Sequence, residues 1–289
     1  MDASEVLKQV RKIEIKTKGL SKHIFSGEYH SAFKGRGMSF SEVREYSYGD
    51  DVRNIDWNVT ARSGDAYIKV FEEERELTVM LLIDISGSAF FGTEEKFKNE
   101  LITEISAVMA FSALNNNDKV GAILFSDQVE KYIPPSKGKK NILRIIRELI
   151  YFQPESKGTD VKVALEYLNN VQKKRSIVFI MSDFKTGAFD KGLLIASRRH
   201  DVVGMHFYDE KEKNMPNVGL LRVRDNETGE LTTIDTGSSK VRTAIRESFL
   251  SHRNQFVETF RKTGSDTIDI KTDENYITTL LQFFKKRAK

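Results

Sequence analysis

The sequence predicts an α/β protein whose sheet is doubly wound and mostly parallel. Four apolar runs of strand length alternate along the chain with amphipathic segments of helix length. The runs show no polar alternation, which is typical of strands covered by helices on both faces. Strands and helices that alternate through right-handed crossovers build a parallel sheet between two helical layers. The four predicted central strands lie within Val79–Ile83, Val120–Phe125, Ser176–Asp183 and Val202–Phe207.

The other elements follow from periodicity and turn signals. Two prolines end the run Val129–Pro135, and because proline belongs at sheet edges, we expect an antiparallel edge strand there. A D-N-E-T-G-E turn divides Leu220–Ile234 into a β-hairpin, and Thr267–Lys271 is a last predicted strand. Predicted helices cover Glu94–Leu114, Ile142–Phe152, Val161–Val171, Phe189–Arg199, Arg242–Arg261 and Asn275–Lys286.

The first 76 residues have a different character. Residues 1–22 carry apolar side chains at helical spacing and predict one amphipathic helix. Residues 23–76 are dense in glycine, aromatic residues and paired charges, and contain a predicted strand in A-Y-I-K-V-F-E-E-E-R. We therefore expect a small β-rich appendage within residues 1–76 and an α/β domain at 77–289. We expect the hairpin at 220–234 to join the appendage.

Two interpretations of the charged turn within that appendage stay open. In the favoured one, acidic and basic side chains cap turns and pair with one another, as Asp commonly does in turns, while three aromatic side chains pack. In the other, the same acids form a second metal or phosphate site. The charged residues concerned are Asp50, Asp51, Arg53, Asp56 and Arg62, and the aromatic ones are Tyr46, Tyr48 and Trp57.

Composition narrows the class of protein. The 289 residues include no cysteine, which excludes disulfides, thiolate zinc sites and cysteine nucleophiles and fits a reducing compartment. No apolar run approaches the roughly 20 residues of a membrane-spanning helix, and the N-terminus lacks the apolar core of a signal peptide. We therefore expect a cytoplasmic protein without an integral membrane segment. The net charge is +4, but the basic residues are scattered, which disfavours nucleic-acid binding.

A cluster of oxygen-bearing side chains follows the first predicted central strand. Asp84, Ser86 and Ser88 stand in the sequence D-I-S-G-S, directly after the apolar run. Ligands of open α/β sheets bind just beyond the carboxyl ends of the strands, so these residues lie where a site is expected. Ligands that are all oxygen suit a hard cation such as Mg²⁺ or Mn²⁺. The D-x-S-x-S pattern alone is short and occurs often by chance.

Two further residues complete a recognisable set. Thr159 lies in the G-T-D loop, and Asp183 ends the third predicted central strand. Together with Asp84, Ser86 and Ser88, they resemble the metal-ion-dependent adhesion site of the von Willebrand factor A fold. That resemblance implies one Mg²⁺ or Mn²⁺ site, with hydroxyls as direct ligands and the two acids bound directly or through water. It also implies a vacant coordination position for a carboxylate from a partner protein.

The resemblance extends beyond this site to the bacterial DUF58 family. The motifs that carry it are G-x-G-x-x-F at Gly35–Phe40, V-R-E-Y-x-x-G-D-D-V-R-x-I-D-W at Val43–Trp57, T-A-R at Thr60–Arg62, E-E-R at Glu73–Arg75, S-D-F at Ser182–Phe184, R-H-D at Arg199–Asp201 and the E-T-G-E hairpin. Known members include longer chains with N-terminal membrane helices, which we do not find here. The resemblance implies a metal-binding interaction module, commonly paired with a MoxR-type AAA+ ATPase.

Alternatives remain for the site and for its role. A structural interpretation has Ser86 and Ser88 cap the next helix, while Asp84 and Asp183 pair with nearby Lys or Arg. If an ion binds, the chain is either a metal-dependent adaptor or a metal-dependent hydrolase acting on phosphoryl groups. Catalysis needs a nucleophile with its base, and the sequence shows no such pair. Of the five histidines, His206 is predicted to be a buried strand residue whose hydrogen bonds are satisfied within the fold. We therefore predict an adaptor and not an enzyme.

Overall fold

In a computed structural model, the chain is described at residues 11, 13–14, 39–72, 77–90, 98–226 and 229–287. It divides into two compact units. The smaller unit is Lys34–Glu76, and the larger one combines Met1–Phe33 with Leu77–Lys289. The predicted helix at 1–22 lies almost entirely outside the described residues.

The smaller unit contains an antiparallel pair of strands. Strand β1 (Ser39–Glu45) pairs with β2 (Tyr67–Glu72), and the connection between them contains a 3-10 turn at Val52–Asn54 and helix α1 (Trp57–Ser63). The strand predicted in A-Y-I-K-V-F-E-E-E-R therefore exists, whereas α1 was not predicted.

Charged side chains within the smaller unit pair and cap as the favoured interpretation expected. Arg44 forms an ion pair of 2.7 Å with Asp50, and Arg53 forms one of 2.7 Å with Asp51. The carboxylate of Asp56 accepts hydrogen bonds from the first backbone N–H groups of α1, which is the usual role of an N-cap. Arg62 lies in the last turn of that helix.

The aromatic part of the same interpretation was wrong for two of its three residues, since only Tyr46 is half-buried. Trp57 is 70% exposed and Tyr48 is fully exposed. Trp57 is the first residue of α1, directly after its N-cap Asp56.

The larger unit begins with β3 (Thr78–Asp84) and alternates strands with helices. The remaining elements are α2 (Lys98–Asn115), β4 (Lys119–Phe125), β5 (Val129–Ser136), α3 (Lys139–Tyr151), α4 (Val161–Val171), β6 (Ile177–Ser182), α5 (Asp190–Arg199), β7 (Asp201–Tyr208), α6 (Glu210–Lys213), β8 (Leu220–Arg224), β9 (Leu231–Asp235), α7 (Ser239–Lys262), β10 (Asp266–Lys271) and α8 (Tyr276–Arg287). The first residues of the predicted helix Glu94–Leu114 lie outside the described part of the chain, and α6 was not predicted.

Six strands form one sheet in the order β10-β7-β6-β3-β4-β5. All neighbouring pairs are parallel except β4–β5, so β5 is the antiparallel edge strand that its prolines predicted. The sheet starts at its centre with β3, extends to one edge through β4 and β5, and then extends to the other through β6, β7 and β10. The predicted fold class, a doubly wound and mostly parallel α/β sheet, is confirmed.

Successive residues of the central strand point to opposite faces of the sheet, as the pleat requires. Val79, Leu81 and Ile83 pack in a core with α2, α3 and α8, whereas Met80 and Leu82 pack in a second core with α4, α5 and α7. All five side chains are fully buried. This two-sided burial is why the strand sequence shows no polar alternation.

The hairpin β8–β9 forms a separate two-stranded sheet with antiparallel pairing. The division into units groups it with the larger one. The expected joining of this hairpin with the β-rich appendage stays a prediction. Within the described ranges, no helix combines the length and the apolar character that crossing a membrane requires.

One glycine of β7 tests the packing of the second core. A Cβ atom at Gly204 would lie 2.6 Å from the ring of Phe260 and 2.8 Å from that of Phe256. We expect Gly204→Ala to lower the free energy of unfolding by about 1–3 kcal/mol because the two rings must move. Urea denaturation measures the change. Gly187→Ala is the matched control, since a Cβ there meets nothing within 4 Å. Equal midpoints for the two variants would contradict the described packing.

Candidate metal centre

The loop after β3 brings three predicted site residues together. Asp84 is the last residue of β3, and its Oδ1 accepts a hydrogen bond of 2.9 Å from the backbone N–H of Ser86. The hydroxyl oxygens of Ser86 and Ser88 lie 3.1 Å apart. Asp84 and Ser86 are buried and Ser88 is half-buried. The D-x-S-x-S spacing therefore places the carboxylate of Asp84 beside Ser86 and the hydroxyl of Ser86 beside that of Ser88.

Strand pairing places the second acid beside the first. Because β6 lies next to β3 in parallel register, the carboxyl ends of both strands reach the same edge of the sheet. The hydroxyl of Ser182, the last residue of β6, donates a hydrogen bond of 2.5 Å to Oδ2 of Asp84. Asp183 follows directly and is 6% exposed. Ser182 was not among the predicted site residues, although it stands in the S-D-F motif.

Thr159 comes from a third loop, which backbone hydrogen bonds join to the other two. The N–H of Gly87, between the two site serines, donates to the carbonyl of Lys157 at 2.9 Å. The hydroxyl of Thr186, three residues after Asp183, donates to the carbonyl of Thr159 at 3.2 Å. All five predicted residues therefore lie on three connected loops at one edge of the sheet.

The Thr159 loop is also fixed from the side of the edge strand. The carboxylate of Glu130, in β5, accepts hydrogen bonds from the backbone N–H groups of Glu155 and Ser156 at 3.2 and 3.1 Å. It also accepts one of 2.7 Å from the hydroxyl of Ser126. One carboxylate thus holds two loops in place.

The two site acids have opposite electrostatic environments. Burial, and then the nearby charge of Asp183, raises the pKa of Asp84 to about 6. Burial alone would raise the pKa of Asp183, but the charges of Lys98 and Lys185 outweigh it and hold that pKa well below its usual range. Among the described residues, no Lys or Arg side chain pairs with Asp84. The interpretation that both acids pair with a nearby Lys or Arg therefore holds for Asp183 but not for Asp84.

The cation on Asp183 is a buried lysine that the sequence analysis missed. The ammonium of Lys98, in α2, lies 3.0 Å from Oδ2 of Asp183 and 3.0 Å from Oε1 of Glu212, and the lysine side chain is 1% exposed. Lys185 binds the same oxygen of Glu212 at 2.6 Å. The sequence does contain a pattern that indicates this lysine. Lys98 shares a helical face with the apolar residues Leu101 and Ile105, and a lysine in an apolar stripe requires a buried partner.

Glu212 reaches this network from the short helix α6. Its Oε2 accepts a hydrogen bond of 2.9 Å from the backbone N–H of Asp209, the N-cap of α6, and the pair forms a capping box. One carboxylate therefore both caps a helix and binds two ammonium groups. The helix was missed because four residues carry no periodicity.

The residues fit a hard divalent cation. Asp84 is a buried carboxylate that is repelled by a second carboxylate and has no paired cation among the described residues. Within the described ranges, no group of three or more His, Cys, Asp or Glu side chains could hold a metal. An ion here would therefore depend on the hydroxyls of Ser86, Ser88 and Thr159 together with Asp84. Mg²⁺ accepts such a set, because one or two carboxylates and several waters suffice for it.

Comparison with protein families decides the relationship that the motifs suggested. The sequence pattern of the family described as "Protein of unknown function DUF58" matches residues 42–255. The chain belongs to the DUF58 family. This DUF58 protein is 25% identical over 297 residues to "Uncharacterized protein Mb1516" of Mycobacterium bovis, an alignment that covers 100% of this chain and 92% of the relative. The resemblance predicted from the sequence motifs is confirmed.

Two solved structures are among those similar to this DUF58 protein. The "conserved hypothetical protein BatB from Bacteroides thetaiotaomicron" matches with a TM-score of 0.49 and 14% identity over 73% of this chain and 98% of that one. The "von Willebrand factor type A from Catenulispora acidiphila" matches with a TM-score of 0.38 and 8% identity over 74% of this chain and 42% of that one.

The raised pKa of Asp84 predicts a pH-dependent stability. The folded protein binds this proton more tightly than the unfolded chain, in which the pKa is 3.8. Without added metal, stability should therefore fall as the pH rises from about 4 to about 6. Asp84→Asn removes this loss, so in EDTA at about pH 7 we expect the variant to be more stable by about 1–3 kcal/mol. Urea denaturation of wild type and Asp84→Asn at about pH 4 and at about pH 7 measures this difference in stability.

A stability difference between wild type and Asp84→Asn that is the same at both pH values would contradict the raised pKa.

A second prediction concerns Lys98. Because this lysine neutralises Asp183, Lys98→Met should leave an unpaired buried carboxylate and lower the stability in EDTA by about 3–5 kcal/mol. The freed carboxylate should also bind Mg²⁺ more tightly, so Mg²⁺ should raise the melting temperature of the variant more than that of wild type. Differential scanning calorimetry with Mg²⁺ and with EDTA measures both effects.

The matched control is Lys185→Met, which removes the half-exposed ammonium from the same Glu212 oxygen and should cost little stability. If Mg²⁺ shifts the melting temperatures of wild type and Lys98→Met by the same amount, Asp183 is not part of the ion site.

Proposed function

We propose that this DUF58 protein is a metal-dependent interaction module that binds a carboxylate of a partner protein. The observation that carries the proposal is the charge of the site. Three carboxylates and two ammonium groups (Asp84, Asp183, Glu212, Lys98 and Lys185) leave one negative charge. A divalent ion turns this into one positive charge. A carboxylate from outside would then complete the ion's coordination and restore neutrality.

The neutral hydroxyls support the same role. Ser86, Ser88 and Thr159 offer oxygen without charge, so an ion that they hold keeps much of its attraction for an anion. Such a contact exists only while both the ion and the partner's carboxylate are present. Metal availability therefore controls the interaction.

We further propose that the partner is a MoxR-type AAA+ ATPase and that the two proteins meet in the cytoplasm. The pairing is what the resemblance to DUF58 proteins implies, and the cysteine-free sequence fits a reducing compartment. We do not expect this protein to turn over a substrate. His206, which is buried, binds Asp269 at 2.9 Å and serves the packing of β7 against β10.

The first test measures ion binding directly. We expect wild type to bind Mg²⁺ or Mn²⁺ in titration calorimetry, and we expect Asp84→Ala to show no binding while its far-UV circular dichroism is retained. Asp84 is the last residue of β3, at the edge of the sheet and outside its apolar core, so its loss should spare the fold. Asp65→Ala, at an exposed position of the smaller unit, serves as the matched control and should bind as wild type does. Equal binding by wild type and Asp84→Ala would rule out this site.

The second test measures the role of the ion. The host's MoxR-type ATPase should co-purify with wild type in Mg²⁺ and should be lost with EDTA or with Asp84→Ala. A parallel screen with phosphatase and nucleotidase substrates should show no turnover. Association that persists in EDTA would contradict the proposal, and hydrolysis that depends on Asp84 would make the protein a metal-dependent hydrolase.

A further inference from the structure

A cleft of about 900 Å³ lies beside the candidate metal centre within the larger unit. Thr159, one of the predicted ligands, is part of its wall, and so are Lys185 and Glu212 of the charge network. The far wall is the first half of α7, and Ile234 of β9 contributes from the hairpin. The cleft is thus continuous with the site at one end and apolar at the other.

The apolar wall is a stripe of side chains on α7. These residues recur at helical spacing along one face, namely Val241, Ala244, Ile245, Ser248, Phe249 and His252. The second half of the same helix is used differently, since Phe256 and Phe260 are buried in the core against the sheet. In the first half, Phe249 is also buried, against His206 and Tyr208, whereas Ala244 and Ser248 are exposed and line the cleft.

With a divalent ion bound, the polar end of the cleft favours an anion. Lys185 is 45% exposed there, whereas Glu212 is 10% exposed and its carboxylate is bound by two ammonium groups. Apart from Lys185, Glu212 and His252, the residues that line the cleft carry no ionisable side chain. A divalent ion beside Thr159 would change the net charge of this end from one negative to one positive.

We propose that this cleft is the docking groove for a protein segment in which an acidic residue neighbours bulky aliphatic or aromatic residues. The acidic side chain binds at the ion, and the apolar side chains pack against the stripe of α7 and Ile234. The inference rests on the proposed function and adds to it the chemistry of the partner's sequence.

The size and shape of the cleft support a peptide segment. Its volume lies near the upper end of the range for ligand pockets, about 300–1,000 Å³. Peptide segments that bind grooves use a few apolar anchors at regular spacing, with polar contacts fixing their register. Here the stripe offers the apolar contacts and the metal centre offers one polar anchor at a defined end.

The experiment selects peptides from a random displayed library with the full chain in Mg²⁺. We expect enrichment of sequences with Asp or Glu beside Leu, Ile, Phe or Trp. A synthetic peptide of the enriched sequence is then titrated by fluorescence anisotropy. We expect Ala244→Glu, which places a negative charge in the cleft, to weaken its binding by about tenfold or more. Thr243→Glu adds the same charge at the neighbouring exposed position, outside the lining, and should change binding by less than about twofold.

The remaining outcomes separate this inference from the proposed function. If peptide binding needs Mg²⁺ and Asp84 but responds equally to Ala244→Glu and Thr243→Glu, the ion binds a carboxylate and the cleft assignment is wrong. If Ala244→Glu alone weakens binding while EDTA and Asp84→Ala have no effect, the cleft binds peptide and the metal-dependent function fails. If no acidic and apolar sequence is enriched, the groove is not a docking site for such a segment.

Discussion

The structure of this site depends on one buried charge, the ammonium of Lys98. Removing a lysine from water costs several kcal/mol unless carboxylates surround it, and Asp183 and Glu212 do so at 3.0 Å each. These partners come from different elements, so the requirement ties α2 to the end of β6 and to α6. Asp183 therefore forms an ion pair within the protein, whereas Asp84 has no paired cation among the described residues.

The core and the candidate site are linked through one residue of unusual backbone geometry. Phe184, directly after Asp183, adopts a φ of 53°, a left-handed conformation that is uncommon outside glycine. Such a conformation costs about 1–3 kcal/mol and persists only where the surroundings hold it. Its ring is buried with its centroid 4.3 Å from that of Phe256 and 5.6 Å from that of Phe260. Aromatic packing below the sheet edge thus fixes the direction in which the loop of Asp183 leaves β6.

Much of the fold could be predicted from sequence because two-sided burial leaves a strong local pattern. Val161–Val171 was predicted with the helix limits that the structure shows, and Asp84 and Asp183 were placed at strand ends from apolar runs alone. The pairing of Lys98 with partners 85 and 114 residues away has no comparable local pattern. The left-handed Phe184 was equally hidden, since nothing in the residue type indicates it. Sequence patterns therefore located the oxygen atoms of the site but not the cation that divides their roles.

The two halves of helix α7 have different structural roles. Its C-terminal half is committed to the core through Phe256 and Phe260, where nearly any change disturbs the sheet. Its N-terminal half, with Ala244 and Ser248 exposed, can change side chains at little cost to folding. Substitutions in this half can therefore reshape the wall of the cleft while the scaffold stays the same. One helix thus combines a half that holds the sheet together with a half whose side chains are free to vary.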